Sequence, residues 1–465
     1  MGRNAMTAAS LPVAARAAGR AGAGPLLALL GRPAVFGSLI PVVILLNALV
    51  GMLLPTLMTP RAFGEYSLVV TLFQYGLIFD LGASQLADRW IPPLLATGRV
   101  DEAEAVGQRL LWLRFYVGIA AYAATALVLA ALAGFGRLPF GLAAGLLSAL
   151  AGVLYMVSMG PLCVWRARSA RRNYAICCST LSFGLVVARP GGMVAGGLLG
   201  CFGALALWYA AFGGLFHLRM PPRPALRPGL IEAASLTARG VPFFATSFIW
   251  AFYLTANRWF ASMLIEPEQL GQFAFSANIF ALLVGSAAGG SAFYYPRIAE
   301  RLAAGGPYEV SRRLSGDCIR LVGAMAALMA VGVVLAGPLI GLIYPLYLHG
   351  VGAARILLVA VPPLVLASWL MPVSLSGGHR PWIDGVVVYP AATVLLGAAV
   401  FGLHRLAGSD GAAWASTVSA VPLVAMQLAV LTHARILRAA DAARLFGVTV
   451  ACCVALAGLV LWGAG

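Results

Sequence analysis

Pro60–Arg89 reads PRAFGEYSLVVTLFQYGLIFDLGASQLADR, and this stretch decides the fold. A short polar turn opens it, an apolar span with one carboxylate (Asp80) follows, and a charged cluster closes it. A weaker copy lies 207 positions downstream, where Pro60, Gly64, Tyr66, Gly82 and Ser84 answer to Pro267, Gly271, Phe273, Gly289 and Ser291. Arg32 and Phe36 answer to Arg239 and Phe243 at the same offset. Agreement at one offset without gaps indicates an internal duplication. It places the apolar span near 34–59 on the one near 241–265, with six spans per copy. An even number returns the chain to the same side, so both copies share one orientation. The axis relating them then stands along the membrane normal, and two bundles face each other around a central cavity.

Composition sets the class. The chain has 465 residues, of which 61% are hydrophobic and 10% charged, so it is no soluble globule. All 31 basic residues are Arg, and the net charge of +16 could suggest nucleic acid as a partner. The arginines, however, sit in short breaks between apolar runs, which is how a chain faces a cytoplasmic leaflet rather than DNA. No nucleic-acid partner is expected. The seven cysteines fall in or at the ends of apolar spans, with no CxxC pair and its second half. They read as small buried residues, and no metal, cofactor or catalytic group is expected.

Residues 1–33 read as a basic cytoplasmic tail. Apolar spans then fall near 34–59, 66–87, 110–134, 138–165, 173–188, 190–218, 241–265, 270–296, 318–346, 352–376, 384–406, 410–437 and 445–464, each long enough to cross about 30 Å of hydrocarbon. The fold class is thus an all-α polytopic membrane protein of about thirteen spans. Its units are a six-helix bundle over 34–218, a cytoplasmic linker over 219–240, a second six-helix bundle over 241–437, and an extra helix within 438–465. The break between 173–188 and 190–218 is placed at Arg189-Pro190-Gly191-Gly192. Gly196-Gly197 and Gly289-Gly290 are placed inside helices, as close contacts or hinges.

Loop charge alternates along the chain. Clusters such as Arg89/Arg99/Arg109, Arg166/Arg168/Arg171/Arg172 and Arg297/Arg301/Arg312/Arg313 share one side, whereas the other holds only Arg61, Arg137, Arg189, Arg355 and Arg405. The positive-inside rule then puts the N-terminus in the cytoplasm and the C-terminus outside.

Strongly polar residues within the spans are few: Asn47, Gln74, Asp80, Arg114, Asn257, Arg258 and Asn278. A charge facing lipid costs several kcal/mol, so each of these should face protein or water. Asp80 and Arg114 lie toward the same end of neighbouring helices, and a structural ion pair is preferred to a substrate role for them. Arg258 has no acid near it in sequence, and Asn257 can hydrogen-bond but not neutralise it. Either it opens to a wet cavity or it snorkels to the outer interface. Both readings stand. The histidines show no ligand spacing, and tryptophans near span ends suit an interfacial belt.

Arg61-Ala62-Phe63-Gly64-Glu65-Tyr66-Ser67 with Leu81-Gly82-Ala83-Ser84 resembles the first-to-second helix region of polysaccharide and O-unit flippases, which belong to the multidrug/oligosaccharidyl-lipid/polysaccharide exporter superfamily. Asn257-Arg258-Trp259 with Leu270-Gly271-Gln272-Phe273 resembles the seventh-to-eighth helix region of the same family. An Asp often precedes that Arg in the family, and here Asn257 stands in its place. The resemblance implies a non-enzymatic flippase of the bacterial inner membrane. Its substrate would be a polyprenyl-diphosphate-linked oligosaccharide for surface polysaccharide, and its neighbours membrane lipids and the polymerase and export machinery. Arg258, Asn257, Arg114 and Asp80 are the candidate substrate contacts. Two alternatives stay open, a multidrug/cation antiporter of the same superfamily and a polytopic glycan polymerase or ligase. The first should carry more buried carboxylates than the one seen deep in a span, Asp80. The second should carry a sizeable external loop.

Overall fold

A computed structural model describes residues 46–168, 170–305, 307–376 and 383–463. The expected N-terminal tail and the first part of the first span lie outside the described residues. In chain order the helices are α1 (Leu46–Leu57), α2 (Pro60–Ile78), α3 (Ala83–Ala96), α4 (Val100–Gly134), α5 (Leu142–Ala167), α6 (Arg171–Phe183) and α7 (Arg189–Arg219) in the first half. The second half holds α8 (Leu230–Ser262), α9 (Pro267–Gly305), α10 (Pro307–Ile343), α11 (Val351–Val359), α12 (Val361–Ser376) and α13 (Tyr389–His433). The last helix, α14 (Ala439–Trp462), stands outside the repeat and packs chiefly along α10. Among the described residues, eight helical segments are long and apolar enough to cross a membrane. A bent pair, Pro345–Val359 with Val361–Met371, makes up to nine.

The duplication seen in the sequence has a physical counterpart where α2 meets α9. A Cβ added to Gly64 would come within 3.0 Å of Pro267 O, and one added to Gly271 would overlap the Pro60 backbone. Each copy of the motif therefore touches its own equivalent, as a two-fold contact requires. Thr59 starts α2 by accepting the Ala62 N–H on its side chain, and Pro60 fills the first helical position, where no N–H is needed. Around this point Tyr347 donates a hydrogen bond to Pro55 O at 3.2 Å or Met58 O at 3.1 Å, and Tyr344 reaches Met52 O at 2.7 Å. Aromatic rings of Phe63, Phe275 and Tyr347 fill the space between.

At the opposite end, α2 does not continue to 87 as the hydropathy predicts. It stops at Ile78, and the chain turns through Leu81 (φ 47°) and Gly82 (φ 82°) before α3 begins. Asp80 holds the turn by accepting the N–H groups of Gly82 and Ser84, both at 3.0 Å. Gly82 is doubly constrained, by its left-handed backbone and by direct contact with Gly240 of α8. Ion pairs gather at this end too: Arg166–Asp88 at 2.6 Å, Arg168–Glu104 at 3.3 Å, Arg223–Glu104 at 3.1 Å and Arg109–Glu232 at 3.0 Å. The arginine-bearing loops of the first half thus share one face.

The expected break at Arg189–Gly192 is corrected by the structure. A π turn, Gly184–Ala188, lets the Arg189 N–H reach Gly184 O, and the helix then runs on through Pro190. Proline lacks the N–H that the following turn would need, and the wider turn absorbs the mismatch. The chain reverses instead at Gly196 and Gly197, the latter at φ 59°. Gly192 and Gly200 pack backbone to backbone there, whereas eight residues of straight helix would separate them by about 12 Å. The second half repeats the device: a π turn at Asp384–Val388, Pro390 two residues on, and reversal at Ala407 and Gly408 (φ 57°), with Leu403 against Gly411. That second reversal lies where the hydropathy places it, between 406 and 410. Arg189 therefore leaves the arginine-poor loops and becomes a residue within a helix.

Candidate functional site: an arginine cavity between the halves

Relocating Arg189 puts a charge inside the bundle. Its guanidinium lies beside the Gly51 backbone of α1, and its Nε and Nη2 atoms are buried without a hydrogen-bond partner. Around it is a cavity of about 350 Å³, polar on several sides. Asn47 and Gly51 of α1, Gln74 of α2 and Arg189 of α7 line it from the first half, and Asn278, Gly285 and Ser286 of α9 from the second. Asn278 is oriented by its amide, which donates to Gly51 O at 3.5 Å, and Asn47 Oδ1 is buried with no partner. Unmet donors and acceptors on a cavity wall are what a polar ligand or water would satisfy. The lining holds one cation and no carboxylate among the described residues.

α2, which gives Gln74 to the lining, also meets α8 along a seam. Tyr75 and Thr255 share a hydrogen bond of 2.7 Å, and Trp259 Nε1 donates to the Tyr75 hydroxyl at 3.1 Å. Phe79 packs edge-on to Phe244 with ring centres 5.0 Å apart, and Phe248 joins them. Gly82, at the start of α3, meets Gly240 of α8 at one end, and the Gly64–Gly271 contact of α2 with α9 lies beyond the other. The repeat would place position 33 opposite position 289 as the counterpart of Gly82–Gly240, and the surroundings of both lie outside the described residues.

The four residues expected from sequence fall elsewhere. Asp80 and Arg114 form the predicted pair at 2.7 Å, almost fully buried. Arg114 also donates to Met156 O at 2.7 Å and to the Ser84 hydroxyl, and it lies 3.4 Å from Cys163 Sγ. Every strong donor there has an acceptor, so the pair is a closed structural network tying the α2–α3 turn and the start of α3 to α4 and α5. Arg258 neither snorkels nor lines the cavity. It is 2% exposed, donates to Ala277 O at 3.0 Å, and leaves Nε without a partner. Asn257 turns into the second half toward Ser416 at 3.4 Å. The cavity residues Asn47, Gln74 and Asn278 were visible in the sequence as polar intrusions; Arg189 was hidden because Pro and two Gly imitate a loop.

A second buried acid also escapes the hydropathy. Asp384, expected at the edge of a span, is 1% exposed in the π turn, beside Ser374 and against the Thr246 segment of α8. Asp80 is therefore not the only carboxylate within the bundles.

No family model matches the sequence, and no curated protein does. Solved structures do resemble it. The lipid II flippase MurJ, in an inward closed conformation, superposes with a TM-score of 0.63 at 11% identity, over 92% of this chain and 97% of that one. An inward-facing multidrug resistance MATE family transporter of the MOP superfamily gives 0.60 at 12% identity, over 84% and 94%. The eukaryotic MATE transporter AtDTX14 gives 0.60 at 14% identity, over 89% and 97%. The chain is a multi-pass all-α membrane protein with the two-bundle fold shared by the MurJ flippase and the MATE transporters.

Proposed function

We propose that this chain is a flippase that carries an anionic, lipid-linked oligosaccharide from the cytoplasmic to the outer leaflet of a bacterial inner membrane. The substrate class is a polyprenyl-diphosphate glycan for surface polysaccharide, delivered to polymerase and export machinery. One observation carries the reading: the cavity between the bundles holds an arginine with two unbonded guanidinium nitrogens and no carboxylate among its described lining residues. A guanidinium with free donors matches phosphate oxygens, with charge-assisted bonds about twice as strong as neutral ones. Asn47, Gln74, Asn278 and Ser286 supply the uncharged polar surface that sugar hydroxyls need, and the lipid tail can stay in the bilayer. Movement of one bundle against the other would expose that cavity to each side in turn.

The competing reading is a cation antiporter, which the MATE-like fold accommodates. A cationic substrate would meet like charge at Arg189, and the buried acids Asp80 and Asp384 do not line the cavity. Deletion of the gene followed by leaflet-resolved analysis of membrane lipids separates the two. A lipid-linked oligosaccharide held on the cytoplasmic leaflet, with surface glycan lost, is the expected result. Intact surface glycan with heightened sensitivity to cationic drugs would replace the flippase with the antiporter. Outward-facing units left unpolymerised would indicate a polymerase instead.

A further inference from the structure

A second charged concavity lies far from the central cavity, where the extra helix α14 begins. Its cleft, of about 800 Å³, opens between residues 312–320 of α10 and the first turns of α14. Arg312, Arg313 and Arg320 line it from α10, and Arg438 and Arg444 from α14. Two acids accompany the five arginines, and both are engaged. Asp317 pairs with Arg320 at 3.6 Å, and Asp441 accepts the Ser311 hydroxyl at 2.7 Å. Ser311 in turn accepts the Arg438 N–H at 2.9 Å, which clamps the start of α14 onto α10. The helix begins with no side-chain cap, so the positive end of its dipole adds to the arginines.

The spacing explains the convergence. Arg313, Gly316, Asp317 and Arg320 stand three, four and seven residues apart, along one face of α10, and Arg438, Asp441 and Arg444 recur every three residues on α14. Clamping the two helices brings these ridges together, although like charges crowded in this way repel. Nothing in the transport cycle proposed above uses them. A cluster that costs repulsion and leaves room for a ligand is best satisfied by an anion.

We propose that this cleft binds the phosphate headgroup of an anionic phospholipid. The source is lipid rather than a soluble phosphate because the cleft sits at the ends of two membrane-crossing helices. Below it the outer faces of both helices are apolar and exposed, with Leu328, Val331 and Val334 on α10 and Val454 and Leu461 on α14. A headgroup in the cleft leaves its acyl chains lying along those faces. The bound lipid bridges the end of the second bundle to the helix outside the repeat, and adds negative charge to a lining of five arginines and two carboxylates.

The full-length protein in detergent, titrated with dioleoyl phosphatidylglycerol or dioleoyl phosphatidylcholine and read by native mass spectrometry, tests this. Phosphatidylglycerol should bind at least tenfold more tightly than phosphatidylcholine. Arg313→Gln/Arg320→Gln/Arg444→Gln should erase that preference, at about fivefold per arginine. Arg219→Gln/Arg435→Gln, exposed arginines outside the cleft, should keep it. Should the triple variant not fold, Arg320→Gln alone, at a side chain 84% exposed, should still cost about fivefold. Equal preference in the triple or single variant and the wild type overturns the site, and so does equal loss in the control. Inorganic pyrophosphate binding as tightly as phosphatidylglycerol, in the absence of lipid, overturns the lipid as its occupant.

Discussion

Gly64 and Gly271 stand at the same place in the two copies of the repeat and press against each other's helix across the axis relating the halves. A Cβ on Gly271 would run into the Pro60 backbone, which cannot step aside as a flexible side chain could. Overpacking of this kind costs about 1–3 kcal/mol. Gly271→Ala should therefore lower the thermal unfolding temperature in detergent more than Gly64→Ala, whose added carbon meets Pro267 O at 3.0 Å. Cysteines introduced at 56 and 346 should cross-link less readily in Gly271→Ala, because the two ends are held apart. An unchanged melting temperature with unchanged cross-linking would contradict the contact.

The Asp80–Arg114 pair makes a different prediction from an ordinary ion pair, because Asp80 also holds the turn between α2 and α3. Asp80→Asn leaves a buried guanidinium without its counter-charge, a loss of about 3–5 kcal/mol. Asp80→Asn/Arg114→Gln should recover much of this, since Asn can still accept an N–H from the turn. The exchanged pair, Asp80→Arg/Arg114→Asp, should recover little, since Arg cannot accept. Folded yield by fluorescence-detected size exclusion, compared through the double-mutant cycle, reads the difference. If the exchanged pair equals the neutral pair in yield, the turn-holding role is wrong.

Arg189 and Arg258 should respond in opposite ways. Arg189→Gln removes a cavity charge that has no carboxylate beside it in the lining and whose Nε and Nη2 atoms are unbonded, so membrane insertion and melting temperature should stay near wild type. Leaflet transfer of the lipid-linked oligosaccharide should fall tenfold or more, with Arg189→Lys intermediate because it lacks the planar fork. Arg258→Met instead removes a desolvated charge from a packed interior and refills its volume. It should match or exceed wild-type stability, as buried ions replaced by apolar residues often do. Transfer measured in spheroplasts, beside melting curves of the same preparations, decides it. A stable Arg189→Gln with full transfer would remove this residue from the substrate path.

Much of the architecture was legible because hydropathy and a repeat are long-range signals. The offset between Pro60 and Pro267 predicted two bundles facing each other, and the structure adds that the equivalent residues Gly64 and Gly271 touch. The Asp80–Arg114 pair was legible because a charge in a span needs a partner and each lay at a matching depth. What escaped was local. Arg189-Pro190-Gly191-Gly192 has the composition of a turn, yet a π turn five residues earlier absorbs the proline and the helix continues. Gly196-Gly197 has no polar neighbour to mark it, so the true reversal looked like helix. Depth assignments inherit such errors: one misplaced turn moved Arg189 from the outer surface to the cavity and left Arg258 as the apparent candidate.

The same reversal bears on how the chain enters the bilayer. Between Asn173 and Phe216 the sequence holds one charged residue, Arg189, and the tip of the hairpin is Ala195-Gly196-Gly197-Leu198. No polar loop has to be carried through the hydrocarbon, so α6 and α7 can partition as a single wedge, tip first. The whole electrostatic penalty of that step falls on Arg189, about 2.5–3.5 kcal/mol on insertion scales, against limbs rich in Leu, Val and Phe that favour entry. The second hairpin has no such freedom, because Arg405 and Asp410 flank its tip and must cross with it. Biogenesis of the two bundles is therefore asymmetric even though their folds are not.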